Sequence, residues 1–161
     1  MAKVLLVDDE LTMVQTVAGL LREEGHEVFP FTNGPAAIAA MMTHAPELVI
    51  TDLYFDKTRP HGLEILKKAR ELMPPAVVIV VTAFASVETA KEALKNGAFD
   101  YLQKPFKVDD FKLCVQRALS YNAALSESAY LRKELKKKYQ YAWRQYPFLN
   151  TFRPNVVEEP N

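Results

Sequence analysis

The chain has 161 residues, and its 20 lysine and arginine residues are balanced by 20 aspartate and glutamate residues. This length suits one well-buried domain plus an extension, and the charge balance gives no general reason to expect binding to nucleic acid or a membrane. A lone cysteine, Cys114, excludes an internal disulfide, and no apolar stretch approaches membrane-spanning length, so we expect a soluble, cytoplasmic protein.

Short apolar runs alternate with segments of helical periodicity over the first two thirds of the chain. The predicted strands are Lys3–Val7, Glu27–Phe31, Glu47–Asp52, Ala76–Val81 and Ala98–Leu102. Pro30 places the second strand at an edge, because proline cannot donate to a sheet ladder. The alternation predicts an α/β fold, a doubly wound five-stranded parallel sheet in the flavodoxin-like order 2-1-3-4-5.

The helical pattern that begins at Lys107 continues far beyond what one domain needs, to about Ala142. We therefore predict a domain over residues 1–120, an extended helix over 121–146 that is a candidate coiled coil or dimerisation segment, and a tail over 147–161. The basic residues between 132 and 144 are interpreted as a solvated face rather than a DNA-binding surface. The aromatic residues between 139 and 152 suggest packing against a second protomer, the first domain or a partner.

Polar residues follow the apolar strands at the points where each strand ends. Asp8 and Asp9 follow the first strand, Asp52 ends the third, and Thr82 and Lys104 follow the fourth and fifth. If the first and third strands are neighbours, Asp8, Asp9 and Asp52 lie close together. Carboxylates at that distance repel one another unless a cation lies between them, and hard oxygen ligands favour Mg²⁺. An ammonium and a hydroxyl around one carboxylate form a clamp for a phosphoryl group, with that carboxylate as the nucleophile.

Four segments, in this order, closely resemble the receiver domain of two-component response regulators: Val7–Glu10, Thr51–Leu53, Val81–Ala83 and Asp100–Phe106. The resemblance covers about residues 3 to 120. Two further segments, Thr82–Ala90 and Gly97–Leu102, look most like the receivers of NtrC-type transcriptional activators, and Tyr130–Leu135 resembles part of their linker helix.

The resemblance implies a site and a cofactor. Asp52 would be the phosphoacceptor for a histidine kinase, and Mg²⁺ would be the bound metal. Asp9 would be a direct ligand, Asp8 a ligand mainly through water, and Tyr54 would contribute its backbone carbonyl.

The resemblance also implies a switch. Thr82 would bind a phosphoryl oxygen and draw Tyr101 inward, Lys104 would pair with the phosphoryl group, and Pro105 would follow a cis peptide bond. Phosphorylation would then alter the surface of the fourth helix, fifth strand and fifth helix. We expect a homodimer through this surface or through the C-terminal helix, with no direct contact to nucleic acid or membrane.

The loop after Asp52 departs from the family pattern. Phe55 and Asp56 replace a usual Met-Pro pair, and the loop reaches His61 and Gly62 two residues late. Asp56, Arg59 and His61 could therefore approach the site. We assign no role to His61, because a histidine in a polar loop is more often solvated than a ligand or proton carrier.

Bulky residues two positions beyond site residues, Tyr54 and Phe84, are expected to hinder an attacking water. We therefore predict slow autodephosphorylation and no other enzymatic activity. Two alternatives remain open: a phosphatase of the haloacid-dehalogenase type, with Asp8 as nucleophile and Glu10 where that family has Asp, and an interaction module that dimerises independently of phosphorylation.

Overall fold

The computed structural model describes residues 1–55, 61–73, 75–83 and 85–145, with side chains described in the last range up to 134 and at 137. Its strands are β1 (Lys3–Val7), β2 (Glu27–Phe31), β3 (Leu48–Thr51), β4 (Val77–Thr82) and β5 (Asp100–Gln103). Its helices are α1 (Leu11–Glu23), α2 (Gly34–His44), α3 (Gly62–Leu72), α4 (Val87–Lys95) and α5 (Val108–Gln145). No helix among these described residues is both long and apolar enough to cross a membrane.

The five strands form one parallel sheet in the order β2-β1-β3-β4-β5, which confirms the predicted fold class. Every residue of β3 and β4 is buried, as expected for central strands covered on both faces. Pro30 pairs with Leu6 in the edge strand β2, where its missing N–H is tolerated. The main apolar cluster joins β1, β3 and β4 to α2 and α3, and includes Leu5, Met41 and Ile65.

The fifth strand begins two residues later than the sequence predicts, at Asp100 instead of Ala98. The reason is that the Ala98 N–H donates to the carbonyl of Ala93 at 3.0 Å, so Ala98 closes the end of α4. The ends of β3 and β4 also differ from prediction by one residue each, which is the usual scatter for strand boundaries.

The last helix, α5, includes 38 residues. Contacts divide the chain into a compact unit from Met1 to Ala124 and a second unit from Leu125 onward. Within the first unit, Asn122 Nδ2 donates to the carbonyl of Pro75 at 2.5 Å, which fixes α5 against the turn before β4. The predicted division at residues 120 and 146 stays a prediction, and the predicted tail lies outside the described residues.

Candidate functional site

The predicted site residues meet at one edge of the sheet. Asp8 follows β1, Asp52 follows β3, Thr82 ends β4 and Lys104 follows β5. Because the strands are parallel, their carboxyl ends face the same side, and the Asp52 N–H donates to the carbonyl of Val7 at 3.1 Å. Sequence position at a strand end is therefore sufficient to bring these residues together.

Three carboxylates form the acidic part of the site. One oxygen from each of Asp8, Asp9 and Asp52 lies within 4.8 Å of the others. Asp8 and Asp52 are only 4% and 8% exposed, while Asp9 is half-buried. Asp8 Oδ1 also accepts the N–H of Glu10 at 3.0 Å, which fixes the turn into α1.

This donor set fits a hard divalent cation, because all three ligands are oxygens and their spacing would let one ion contact them together. Burial raises the pKa of Asp8, although hydrogen bonds from Lys104 and from the Glu10 N–H oppose this rise. Removal from water therefore makes the charge on Asp8 costly, and a bound cation would reduce that cost.

Lys104 bridges two of the acids. Its Nζ donates to Asp52 Oδ2 at 3.0 Å and also to Asp8 Oδ2, and its side chain is 9% exposed. Burial alone would lower the pKa of Lys104, but the bonds to Asp8 and Asp52 outweigh it and raise that pKa. The expected cis peptide is confirmed between Lys104 and Pro105, and the Lys104 N–H donates to the carbonyl of Thr82 at 2.9 Å.

Asp52 is held at both carboxylate oxygens. Its Oδ1 accepts the N–H of Leu53 at 2.6 Å, while Oδ2 accepts from Lys104. Its carbonyl accepts the hydroxyl of Thr51 at 2.8 Å. Gly62 packs so closely that a Cβ there would lie 1.8 Å from that carbonyl oxygen. The start of α3 therefore buttresses the main chain of Asp52 and requires glycine to do so.

The two predicted switch residues lie on neighbouring strands. Thr82 is fully buried, and Tyr101 is half-buried on β5. The hydroxyl of Tyr101 lies 2.9 Å from Thr89 Oγ1. Thr89 also exchanges bonds with Ser86 in the capping box of α4, so Tyr101 is tied to the first turn of that helix. Thr89 was missed by sequence reasoning, although Ser86 before a helical pattern is an N-cap signal and places Thr89 in the first turn.

The loop after Asp52 ends at His61, which the sequence analysis names as able to approach the site but to which it assigns no role. His61 is half-buried, and its Nδ1 accepts the N–H of Phe55 at 3.1 Å. Its ring centroid is 5.7 Å from that of Tyr54, which is 42% exposed. The position of His61 directly before the glycine that opens α3 is the sequence signal that could have indicated it. Asp56, Arg59 and Phe84, also named from the sequence, lie outside the described residues.

The family model for the response regulator receiver domain matches residues 4–116. This chain belongs to the response regulator receiver family. The sequence resemblance rested on four ordered segments, which contain the acids after β1 and β3, the end of β4 and the lysine after β5, and the family match confirms it.

The curated relatives of this receiver domain are NtrC-type activators. The nitrogen assimilation regulatory protein NtrX of Azorhizobium caulinodans is 31% identical over 156 residues, covering 97% of this chain and 32% of that protein. The regulatory protein AtoC of Escherichia coli is 34% identical over 139 residues, covering 86% of this chain and 30% of that protein. The chain thus spans about a third of the length of the curated relatives that it matches.

Solved structures agree with this assignment. The receiver domain of NtrX from Brucella abortus superposes with a TM-score of 0.69 at 37% identity, covering 73% of this chain and 98% of that one. The chain is therefore an NtrX-like receiver domain, consistent with a phosphoacceptor in two-component signalling, and receivers of this family are generally not enzymes. Neither the haloacid-dehalogenase alternative nor the phosphorylation-independent module is supported by these matches.

Proposed function

We propose that this receiver domain accepts a phosphoryl group from a histidine kinase on Asp52. Mg²⁺ would be held by the carboxylates of Asp8, Asp9 and Asp52 and by the backbone carbonyl of Tyr54. The observation that carries the proposal is the cluster in which Asp8, Asp9 and Lys104 surround the Asp52 carboxylate at the sheet edge. The predicted cytoplasmic location belongs to the same proposal.

The geometry of Asp52 suits it to attack phosphorus. Donors hold both carboxylate oxygens, so the group is oriented and needs no general base to ionise it. A new oxygen–phosphorus bond would form as the phosphorus–nitrogen bond of the donor phosphohistidine breaks, and the electron pair of that bond would stay on the imidazole nitrogen. Bound Mg²⁺ would supply charge neutralisation for the phosphoryl oxygens.

Two side chains are assigned to the phosphoryl oxygens. Lys104 already reaches Asp52, so a small movement of its ammonium would let it pair with a phosphoryl group. Thr82 ends the strand between β3 and β5, and we assign its hydroxyl to a second phosphoryl oxygen. Both roles use groups that are present before phosphorylation, which keeps reorganisation small.

The decisive experiment is incubation with a small phosphodonor and Mg²⁺, followed by intact-mass measurement. Wild type should gain one phosphoryl group, and Asp52→Asn should gain none. Asp9→Asn should slow the gain because it removes a metal ligand. Asp110→Asn changes an exposed acid in the first turn of α5 and is the matched control. A gain that persists in Asp52→Asn would contradict the proposal.

The predicted slow autodephosphorylation is part of the proposal. Tyr54 is 42% exposed two residues beyond Asp52, a position from which its ring can obstruct water. The phosphorylated protein should therefore persist for minutes or longer, and replacing Tyr54 with Ala should shorten its lifetime. Loss of the label from wild type within seconds would contradict this part of the proposal.

We further propose that Tyr101 carries the signal to the surface. Its bond to Thr89 links β5 to the first turn of α4. If Tyr101 moved toward Thr82, its hydroxyl would lose the bond to Thr89 and its ring would become more buried. The first turn of α4 would then be free of this contact. Tyr101→Phe should leave the phosphoryl gain unchanged and weaken any phosphorylation-dependent change in the NMR signals of α4. An unchanged α4 response would argue against this role.

The last part of the proposal is that phosphorylation promotes dimerisation. The dimer would form through α4, β5 and α5, or through the C-terminal part of α5. Exposed apolar side chains on α4 and α5 support it: Val87 is 71% exposed, Leu94 49% and Leu113 46%. Leu94→Glu should abolish a phosphate-dependent increase in mass by light scattering. Met42→Glu is the control, because Met42 is 65% exposed on α2. Equal effects of the two variants would contradict the assignment of the surface.

A further inference from the structure

The start of α3 returns to the short segment that follows Asp52 and bonds to it twice. The Gly62 N–H donates to the carbonyl of Leu53 at 2.9 Å, and the Phe55 N–H donates to His61 Nδ1 at 3.1 Å. The first bond joins main chain to main chain and does not involve a side chain. The second depends on the side chain of His61.

His61 is well placed to hold this bond. Its side chain is half-buried, and its ring lies near two aromatic rings, with centroid distances of 5.7 Å to Tyr54 and 6.5 Å to Phe55. Because Nδ1 accepts a hydrogen bond, the ring proton must be on Nε2. Phe55 itself is only 4% exposed, so its N–H has little access to water and would be costly to leave without an acceptor.

The hydrogen bond between Phe55 and His61 fixes the orientation of a whole peptide group. The Phe55 N–H and the Tyr54 carbonyl belong to the same planar peptide group. In a trans peptide these two groups point in opposite directions, and the cis peptide recorded among the described residues is the one before Pro105. Holding the N–H toward His61 therefore turns the Tyr54 carbonyl away from His61 and sets its direction.

We propose that His61 is a positioning residue for the metal site, which acts by fixing the peptide plane that directs the Tyr54 carbonyl toward the cation. This inference rests on the proposed function, in which that carbonyl is a Mg²⁺ ligand. His61 does not touch the metal in this role.

The test is a calorimetric Mg²⁺ titration of the full chain in three variants of His61. His61→Ala should weaken Mg²⁺ binding about 10-fold, the lower end of what loss of a supporting partner costs a metal site. His61→Asn should largely restore affinity, because its Oδ1 can take the place of Nδ1. His61→Gln carries its acceptor at about the position of Nε2 and should not restore it.

His26 offers a matched control. Its Nδ1 accepts the N–H of Ala2 at 3.2 Å, the same kind of bond at the opposite end of the sheet. His26→Ala should therefore leave the Mg²⁺ affinity unchanged. Exchange of the Phe55 amide, followed by NMR, should be faster in His61→Ala and His61→Gln than in wild type and His61→Asn.

Each outcome separates the inference from the function beneath it. If wild type binds Mg²⁺, Asp9→Asn abolishes that binding and His61→Ala leaves the affinity unchanged, then the positioning role is overturned and the proposed metal site stands. Equal losses in the Ala, Asn and Gln variants would also overturn it, because a merely structural role does not distinguish Asn from Gln. Absence of Asp9-dependent Mg²⁺ binding in wild type would overturn the proposed function as well. Should His61→Ala fail to fold, the comparison of Asn with Gln decides.

Discussion

Replacing Lys104 with Met should destabilise the receiver domain strongly in a chelator and much less in Mg²⁺. The Lys104 ammonium lies 3.0 Å from Asp52 Oδ2 and also bonds Asp8 Oδ2, and the three side chains are 9%, 10% and 6% exposed, respectively. Removing one partner of a buried ion pair leaves uncompensated charge and costs about 3–5 kcal/mol. Met keeps the length and the apolar stem of Lys, so the loss measures the charge.

Mg²⁺ should offset this loss because it would neutralise the same carboxylates. A ligand at 100 times its dissociation constant stabilises a protein by about 2.7 kcal/mol. The Lys104→Met variant should gain at least this much, because without the ammonium Asp8 and Asp52 present more negative charge to the cation. The measurement is urea unfolding at neutral pH, followed by circular dichroism, with chelator and with saturating Mg²⁺.

The control is the same substitution at Lys112. Its Nζ lies 3.0 Å from Glu24 Oε1, so the two ion pairs have the same length, but these side chains are 34% and 43% exposed. An exposed ion pair contributes little to stability because solvent screens it, and Lys112→Met should show no dependence on Mg²⁺. The reasoning fails if Lys104→Met loses less than about 1 kcal/mol in chelator, or if Mg²⁺ leaves its deficit unchanged.

Three further measurements test the packing and the electrostatics. Gly62→Ala should cost about 3 kcal/mol or more of unfolding free energy, because its Cβ would lie 1.8 Å from the Asp52 carbonyl oxygen. Gly19 lies in α1, and a Cβ there would meet nothing within 4 Å, so Gly19→Ala should stabilise the protein by about 0.5–1 kcal/mol. Equal effects of the two substitutions would refute the packing argument. Burial and the nearby Asp100 raise the pKa of Cys114 from 9.0 to about 12. Its thiol should therefore react with a disulfide reagent about 1,000-fold more slowly in the native protein than in the unfolded protein. Rapid labelling of the native protein would contradict this. The acid partners of Lys104 raise its pKa above 10.5, so its stabilising effect should stay full from neutral pH up to pH 10.5. Above that, the stability gap between wild type and Lys104→Met should narrow as pH rises through the folded pKa.

The sheet was predictable because its signals are local. Continuous apolar runs such as that of β4 indicate strands buried on both faces, and Pro30 indicates an edge. The positions of Asp8, Asp52 and Lys104 followed from a geometric rule, that parallel strands end at a common edge. No knowledge of side-chain conformation was needed for either step.

The missed contacts depend on side chains that meet across loops. His61 accepts from Phe55, and Thr89 meets Tyr101, only because the backbone folds bring them within about 3 Å. A histidine in a polar segment gives no sign of which N–H it will accept. The sharing of Lys104 between two acids was likewise beyond the sequence, since its long chain could have reached either carboxylate alone.

The shared lysine shows how phosphorylation, as proposed, can move the structure. Lys104 divides its hydrogen bonds between Asp8 and Asp52, and its own N–H is bonded to the Thr82 carbonyl. A phosphoryl group adds further negative oxygens on the side of Asp52 and so competes with Asp8 for the ammonium. Asp8 then loses its cationic partner while it remains buried, which increases its need for the metal. Metal binding and phosphorylation should therefore favour each other, and Mg²⁺ affinity should rise when Asp52 is phosphorylated.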